Sequence, residues 1–480
     1  MEESRLIDLY TAAVGTPPAA VTKIIGSGSA RAYYRLSGPR QLIGTIGTSR
    51  DENEAFLYLD SHFRRYGLNV PEVVAVSDDH MVYLQSDLGD TSLFKLIQRD
   101  GTDNENVRGL MRETLGRLPE MQFRAAADLD FSRCFPVTEM TRGSVMWDLN
   151  YFKYCFLKLS GVDFDEAGLE KDFNRLADMI MDIENTAFMY RDFQSRNVMI
   201  CGGGPWFIDF QGGRRGPALY DVASFLYQAR AGFTDTLRSE LAGVYLESAR
   251  RFRDFTTDAF RRELWLCALF RTLQVLGAYG LRGLYERKIH FVESIPAALA
   301  NLSSLSQGME THFPALSAAI RALNDSPRLR ARTPRERLVV EVNSFGFRAS
   351  GIPQDMSGNG GGFVFDCRAI INPGRFSQYM PLTGLDEPVI RFLEESGEVT
   401  PFLDNAKALV GRAVGRYLER GFTSLSVSFG CTGGRHRSVY CAQQMARWLT
   451  EEMDVDVELH HRERSIDRFM PRKGDGTTPS

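Results

Sequence analysis

Short apolar runs broken by glycines and polar turns fill the first ~95 residues and predict strands with a single helix among them. Residues 21–25 and 33–36 are two such runs, and Gly26-Ser27-Gly28-Ser29 lies between them as a hairpin tip. A tip of that kind can bring backbone N–H groups against a phosphate, although a plain tight turn has the same composition. Phe56, Leu57, Leu59 and Phe63 space a helix over 54–66. Residues 81–84 predict a strand, and the polar run 85–90 leaves it as a connection. From 91 to 190 the pattern is helical. An aromatic-rich helix start spans 148–157, with Asp148 as N-cap and an aromatic stripe that reads as core. Residues 198–200 and 206–208 are apolar runs joined by the turn Cys201-Gly202-Gly203-Gly204-Pro205, which predicts a hairpin. Gly216-Pro217 precedes a further helix start at Tyr220-Asp221, and helices continue to 323.

The pattern breaks at Asn324-Asp325-Ser326-Pro327. Arg328, Arg330, Arg332, Arg335 and Arg337 follow, with Pro334 among them, and 324–337 reads as a solvated linker. A phosphate or RNA contact is the alternative. Beyond Leu338 strands are expected at 338–342, 363–366 and 425–429, a glycine-rich flexible loop at 358–362, and helices at 404–420 and 438–450. The organisation expected is therefore a domain over 1–323, with lobes at 1–90 and 91–323, the linker, a smaller domain over 338–468, and a flexible tail over 469–480. In fold class this is an α+β, two-lobed, kinase-like domain followed by an α/β domain.

The 190–211 hairpin region carries the strongest chemical signal. Arg191-Asp192 is followed by Asn197 and then, beyond the turn, by Asp209-Phe210-Gln211. The hairpin brings Asn197 and Asp209 to one end. Phosphoryl transfer from ATP needs that set: one carboxylate orients the attacking hydroxyl and takes its proton, while an amide oxygen and a second carboxylate hold magnesium on the triphosphate. The bland alternative makes Asp192 a turn residue and Asp209 a strand end. A second signal is the strand–loop–helix at Gly430-Cys431-Thr432-Gly433-Gly434-Arg435-His436-Arg437-Ser438. Loop and helix N–H groups can converge on one anion there, and the basic side chains add charge.

Composition narrows the classes. The chain has 480 residues, 43% hydrophobic and 25% charged, with a net charge of −4. It is too long for one core and carries no global basic field for nucleic acid or membrane. No apolar run approaches ~18 residues, so no membrane span is expected, and the start lacks a signal-peptide pattern. Seven cysteines without C-x-x-C spacing point to reduced thiols in a cytoplasm.

On Arg191-Asp192-Phe193, Arg196-Asn197-Val198-Met199, Ile208-Asp209-Phe210-Gln211 and Gly216-Pro217 before Tyr220-Asp221-Val222-Ala223-Ser224, the first ~320 residues resemble the aminoglycoside phosphotransferase superfamily. They look most like its AmgK-like branch of anomeric N-acetylmuramate/N-acetylglucosamine kinases, which phosphorylate C1 in cell-wall sugar recycling. The resemblance implies ATP and Mg2+, with Asp192 as base and Asn197 and Asp209 as magnesium ligands. It implies nucleotide contacts from Gly26, Ser27, Gly28 and Arg31 and from the hinge at Gln85, Asp87 and Leu88. Arg191 and Asp221 would be structural supports. Two departures stand out. Tyr190 occupies the usual histidine position, and the strand at 41–47 has no lysine for the phosphates. Glu54 on the next helix has no obvious partner. Arg31 or Arg50 would supply the missing charge, or the lobe binds nucleotide weakly, or the domain is degenerate.

Residues 338–465 resemble the C-terminal domain of RapZ, an adaptor that senses glucosamine-6-phosphate and steers small-RNA decay. The matching pieces include Ser344-Phe345-Gly346-Phe347, Phe365-Asp366-Cys367-Arg368, Asn372-Pro373, Leu382-Thr383-Gly384-Leu385-Asp386 and the 430–439 loop. The resemblance implies an amino-sugar-phosphate pocket from Asp366, Arg368, Cys431, Thr432, Gly433, Gly434, His436 and Arg437. Gly374 departs from it, standing where histidine is usual. The expectation is therefore an amino-sugar kinase joined to a phosphosugar-binding domain. The rivals are an RNA-binding adaptor with a degenerate kinase half, and a phosphatase built on the Cys431-to-Arg437 spacing.

Overall fold

In a computed structural model, residues 2–24, 31–286, 288–326, 329, 337–353, 362–453 and 455–473 are described. The glycine tip with Gly26, Ser27 and Gly28, most of the arginine linker, and the glycine-rich loop up to 361 lie outside the described residues. The chain divides into two compact units, one of residues 1–281 with 294–329, the other of 282–293 with 330–480.

The first unit opens with a five-stranded antiparallel sheet in the order β1-β2-β3-β5-β4. Its strands are β1 (Ala20–Ile24), β2 (Ala32–Ser37), β3 (Leu42–Ile46), β4 (Val73–Val76) and β5 (Val82–Ser86). A helix over Glu2–Val14, absent from the sequence reading, covers this sheet. Its Leu6 and Tyr10 are fully buried against Leu36, Leu42, Val82 and Leu84. Leu9 and Val14 pack beside them, and burying each such side chain contributes about 1.5–3 kcal/mol, enough to fix the helix on the sheet. The next helix, Arg50–Arg65, starts earlier than the apolar spacing suggests because the Ser49 hydroxyl accepts the Glu52 N–H and caps it.

The rest of this unit is helical around two small antiparallel pairs. One joins β6 (Ala187–Met189) to β9 (Arg214–Gly216); the other is the hairpin of β7 (Val198–Cys201) and β8 (Gly204–Phe207). Gly202 and Gly203 both adopt positive φ, 60° and 83°, at the hairpin tip, a conformation glycine reaches without Cβ strain. The unit is thus an antiparallel sheet followed by a helical lobe, the two-lobed α+β arrangement expected from the sequence.

Two expectations need correction. Asp148 is not an N-cap: the helix Arg142–Phe152 is capped by Thr141, which forms a reciprocal capping box with Ser144, and Asp148 lies in mid-helix. The aromatic stripe there is only half core. Phe152 and Phe156 are buried, but Trp147 and Tyr154 are 63% and 52% exposed. In addition, the segment Thr257–Tyr285 is long and apolar enough by composition to cross a membrane, although charged residues interrupt its apolar run. In this structure 61% of its most apolar stretch is buried in protein, as in a core helix.

The second unit is a five-stranded sheet in the order β11-β12-β10-β13-β14. Its strands are β10 (Val339–Gly346), β11 (Gly362–Asp366), β12 (Ser424–Cys431), β13 (Asp456–His461) and β14 (Ile466–Met470). All neighbours are parallel except β13 and β14. Val340, Val342, Val427, Phe429, Val457 and Leu459 are buried with residues of the helices Val399–Glu419 and Arg437–Glu452, among them Val410 and Met445. The last two strands were not anticipated, and β14 carries ordered structure past residue 468, where the sequence reading ended this unit.

Candidate active site

The hairpin sets the geometry of the first site. Asn197 ends a short turn before β7, and the Ile208 N–H donates to its carbonyl at 3.1 Å, closing the base of the hairpin. Its Nδ2 donates to the Asp192 carbonyl at 2.9 Å and to the Asp209 carboxylate at 3.3 Å. Gln211 Nε2 donates to the other Asp209 oxygen at 2.8 Å. Burial, with Asp192 nearby, pushes the Asp209 carboxyl up. Among the described residues Asp209 has amide donors but no ion pair. A buried carboxylate neutralised only by amides, next to an amide side chain, suits a hard divalent cation that also takes phosphate oxygens. Asn197 and Asp209 would hold it. Among the described residues no group of three or more His, Cys, Asp or Glu forms a metal cluster.

The loop before the hairpin is strained and tied down. Arg191 and Asp209 both lie at positive φ, 76° and 69°. Non-glycine residues held there cost on the order of 1 kcal/mol or more, and persist where the surroundings over-determine them. Asp221, fully buried at the start of the helix Leu219–Leu226, supplies that determination. It accepts the N–H groups of Tyr190 at 2.8 Å and Arg191 at 2.9 Å, and Gln122 Nε2 at 2.9 Å. Burial pushes its carboxyl up to about 7 against the pull of these donors. Tyr190 packs on Phe193 and Phe210, and its hydroxyl donates to the Ile208 carbonyl, so the loops carrying Asp192 and Asp209 are joined through one ring.

Asp192 opens toward solvent, with its side chain about half exposed at 52%, yet Arg271 Nη2 donates to its Oδ1 at 3.1 Å. Burial of the loop pushes its carboxyl up, but Arg271, Arg191 and Arg196 outweigh that and hold it below the usual range. Around it Arg191 approaches Asp148 at 3.8 Å. Burial pushes the Asp148 carboxyl up and, with Arg191 nearby, brings the Arg214 guanidinium down to about 10.

On the sheet side, Arg31 is buried and pairs with Glu52 at 3.2 Å. Glu54 does have partners, Arg50 at 2.7 Å and His80 at 3.0 Å, at the surface. Arg31 rather than Arg50 is thus the inward-paired cation, and it lowers the Asp209 carboxyl through space. Thr45 lies buried on β3, the strand that carries no lysine. Gln85 sits within β5. The Asp87 carboxylate is engaged by Arg35 at 2.6 and 3.2 Å, by Gln41 at 2.7 Å and by the Gly89 N–H at 2.8 Å. Its side chain therefore braces β2 and β3, and the 85–88 segment can offer a nucleotide mainly backbone, with Leu88 partly exposed beside it.

In the second unit, Asp366 and Arg368 pair with each other at 2.7 Å, with Arg368 over the Phe347 ring at 4.2 Å. Cys431 ends β12, and its Sγ lies 3.2 Å from Ser438 Oγ. Burial pushes the thiol up, but Ser438 and the N–H groups of Ser438, Gly434 and Arg435 outweigh this and bring it below the usual thiol range. Thr432 and Gly433 are exposed on the loop, and Gly434 turns at φ 68°. His436 Nε2 donates to the Tyr379 carbonyl at 3.0 Å, and a Cβ on Gly374 would stand 3.4 Å from its ring. Arg437 is buried. Its Nη1 donates to the carbonyls of Arg368 at 3.0 Å and Ile370 at 2.8 Å, while its Nε is buried with no partner. Arg435, expected to add charge at the loop, is turned to the Pro381 and Leu382 carbonyls at 2.6 and 3.1 Å.

Sequence reasoning missed Arg271, Glu52 and Gln122. Each reaches the site from a distant helix, and no local pattern marks it.

Residues 21–256 match the model of the phosphotransferase enzyme family, and residues 338–465 match that of the RapZ C-terminal domain. The chain joins these two families: an aminoglycoside-phosphotransferase domain is fused to a RapZ C-terminal domain. A nucleotide-binding protein of Staphylococcus epidermidis is 36% identical over 132 residues, 28% of this chain and 42% of that protein. One of Rhodospirillum rubrum is 38% identical over 24% of this chain and 35% of its own length. One of Aeromonas salmonicida is 31% identical over 50% of this chain and 77% of its own length. The chain thus spans about two fifths of the first two relatives. Among solved structures, the choline kinase LicA from Streptococcus pneumoniae aligns over 63% of this chain and 99% of its own, at 12% identity and a TM-score of 0.44. A gentamicin complex of the phosphotransferase APH(2")-IIa aligns over 65% and 98%, at 12% identity and a TM-score of 0.45. Likeness at that level says nothing about the substrate of the phosphotransferase domain.

Proposed function

We propose that the chain is an ATP- and magnesium-dependent kinase acting on an amino sugar in the cytoplasm, with N-acetylmuramate or N-acetylglucosamine as acceptor and C1 as the hydroxyl. The observation that carries this is the Asn197 side chain, which links the backbone of Asp192 to the carboxylate of Asp209. Asp192 takes the proton of the acceptor hydroxyl as its oxygen bonds to the γ-phosphorus and the bond from that phosphorus to ADP breaks. Magnesium, when bound, supplies charge neutralisation on the triphosphate. Asp221 and Tyr190 keep the two carboxylates in register, and Arg31 with Glu52 stands in for the missing lysine on the sheet side. Arg191, Arg214 and Arg271 make the surroundings of Asp192 rich in positive charge, which favours the acceptor with a carboxylate, N-acetylmuramate.

The RapZ C-terminal domain binds an amino-sugar phosphate in this reading, and either regulates the kinase or channels its product. Arg437 supports it: Nη1 is fixed by two carbonyls, and its buried Nε is left for an anion. RNA is the less favoured partner at a net charge of −4. A thiolate phosphatase is a second reading, favoured by the donors around Cys431. Against it, Asp366 is paired with Arg368 and Asp386 accepts from Thr383, so neither is poised as a general acid.

A coupled assay of ATP consumption over a panel of amino sugars tests the kinase. Turnover with N-acetylmuramate that EDTA abolishes supports it, and no sugar-stimulated turnover across the panel defeats it.

A further inference from the structure

We propose that Arg271 is a positioning residue for phosphoryl transfer. It holds one oxygen of Asp192 from the helix Thr257–Tyr279, so that the half-exposed remainder of the carboxylate faces the acceptor hydroxyl in a fixed orientation. The inference rests on the kinase reading above and adds to it a residue outside the catalytic loop.

Arg271 is anchored at more than one point. Its Nη1 donates to Gln274 Oε1 at 2.5 Å and to the Tyr220 hydroxyl at 3.3 Å, while its Nη2 donates to Asp192 Oδ1 at 3.1 Å. The guanidinium carbon lies 5.6 Å from the centre of the Tyr220 ring. Tyr220 immediately precedes Asp221, the residue that holds the Tyr190 and Arg191 N–H groups. One helix start therefore fixes the catalytic loop twice, through the backbone by Asp221 and through the Asp192 side chain by way of Tyr220 and Arg271.

Packing alone does not account for an arginine at this place. The residue is 5% exposed, and its Nε is buried with no partner. A buried cation with an unsatisfied donor is costly, and an apolar side chain of similar size commonly fills such a place at equal or lower free energy. What the arginine supplies that an apolar residue cannot is a directed, charge-assisted bond to the catalytic carboxylate. The asymmetry of the pair agrees: the Arg271 side chain is 6% exposed and that of Asp192 is 52% exposed, so the cation is fixed inside and the carboxylate is presented outward. Orientation of a base within a few tenths of an ångström is worth one to several orders of magnitude in rate.

The test is a double-mutant cycle in the full chain, read as steady-state turnover of ATP with the best acceptor of the sugar panel. Arg271→Met is expected to lower kcat about 10- to 100-fold and to leave KM for ATP within about twofold. In an Asp192→Asn background the same change is expected to add no more than about twofold, because its effect passes through Asp192. Gln274→Ala, which loosens the anchor without removing the charge, should give a smaller loss of about 3- to 10-fold, and it decides the matter if the Met variant does not fold. Arg271→Lys should recover part of the rate. An unchanged kcat in the Gln274 and Arg271 variants, or an equal fold-loss with and without Asp192, overturns the inference while leaving the kinase reading standing. Wild-type protein with no sugar-stimulated ATP turnover across the panel overturns both.

Discussion

The Asn197 amide donates at 2.9 Å to the backbone of Asp192 and at 3.3 Å to the carboxylate of Asp209, so one side chain sets the spacing between the two acids of the phosphotransferase domain. The turn glycines of the β7–β8 hairpin, the positive φ of Asp209 and the buried Asp221 all serve that spacing. Its consequences can be measured one residue at a time.

Asp192→Asn should keep the fold and nucleotide affinity and lower turnover by about two or more orders of magnitude, since a positioned general base contributes about 10²–10⁴-fold. Its backbone contacts survive the change, but the buried Arg271 guanidinium loses its counter-charge, so the melting temperature should fall while the fold persists. Near-normal turnover in this variant would remove Asp192 from the role of base.

Asp209→Ala should abolish activity, and Asn197→Ala should lower it severely, with EDTA silencing the wild type. The Asn197 variant also loses the link to Asp192, so its residual rate should not return at raised magnesium. Activity that survives chelation would rule out the proposed mechanism.

In the RapZ C-terminal domain, Arg437→Ala should remove binding of an amino-sugar phosphate, followed by calorimetry on the full chain. Charge-assisted bonds of about 1.5–3 kcal/mol each are lost with the guanidinium. The neutral sugar should bind weakly at best, since it leaves the loop donors to water. Cys431→Ser should keep most of the affinity, because its thiol is buried and already engaged by Ser438. Equal affinity for sugar and sugar phosphate would defeat the phosphate pocket.

His461 gives a pH dependence. It is 1% exposed, with Nδ1 at 2.9 Å from the Ser344 hydroxyl, and burial, helped by Arg468 and His460, brings its pKa down to about 4 from 6.5. Between those values the unfolded chain binds the proton and the folded chain does not, so stability falls as pH drops from 6.5 to 4, by an amount of order 3 kcal/mol. His460, raised to about 8 by Glu458 and Asp467, acts in the other direction: its contribution is full below 6.5 and is lost as pH rises through about 8. Hydrogen exchange of β10 and β13 across pH 4 to 6.5 should show the His461 slope, and His461→Gln should flatten it. The same acid loss in that variant would place its origin elsewhere.

The grouping of Asp192, Asn197 and Asp209 was legible in the sequence because their spacing is local. Asp192, Asn197 and Asp209 are joined by one hairpin whose glycine turn and flanking apolar runs are visible in one dimension. The strand–loop–helix at Cys431 was legible for the same reason. Asp148 was misplaced as a cap because Thr141 and Ser144, a few residues earlier, satisfy the helix start instead. The helix Glu2–Val14 was missed because its apolar stripe is short and acquires meaning only against the sheet it covers.

The sequence by itself determined the two-family organisation, the hairpin, and the acids and amide that face each other across it, since these follow from short-range spacing and turn chemistry. Only the tertiary structure decided what surrounds them. Arg271 lies 79 positions from Asp192, Gln122 lies 99 from Asp221, and Arg31 meets Glu52 on the following helix. The reason is physical: hydrogen-bonded and ionic partners are selected by where packed helices bring side chains together, and helix packing leaves no periodic trace of its polar contacts in the chain.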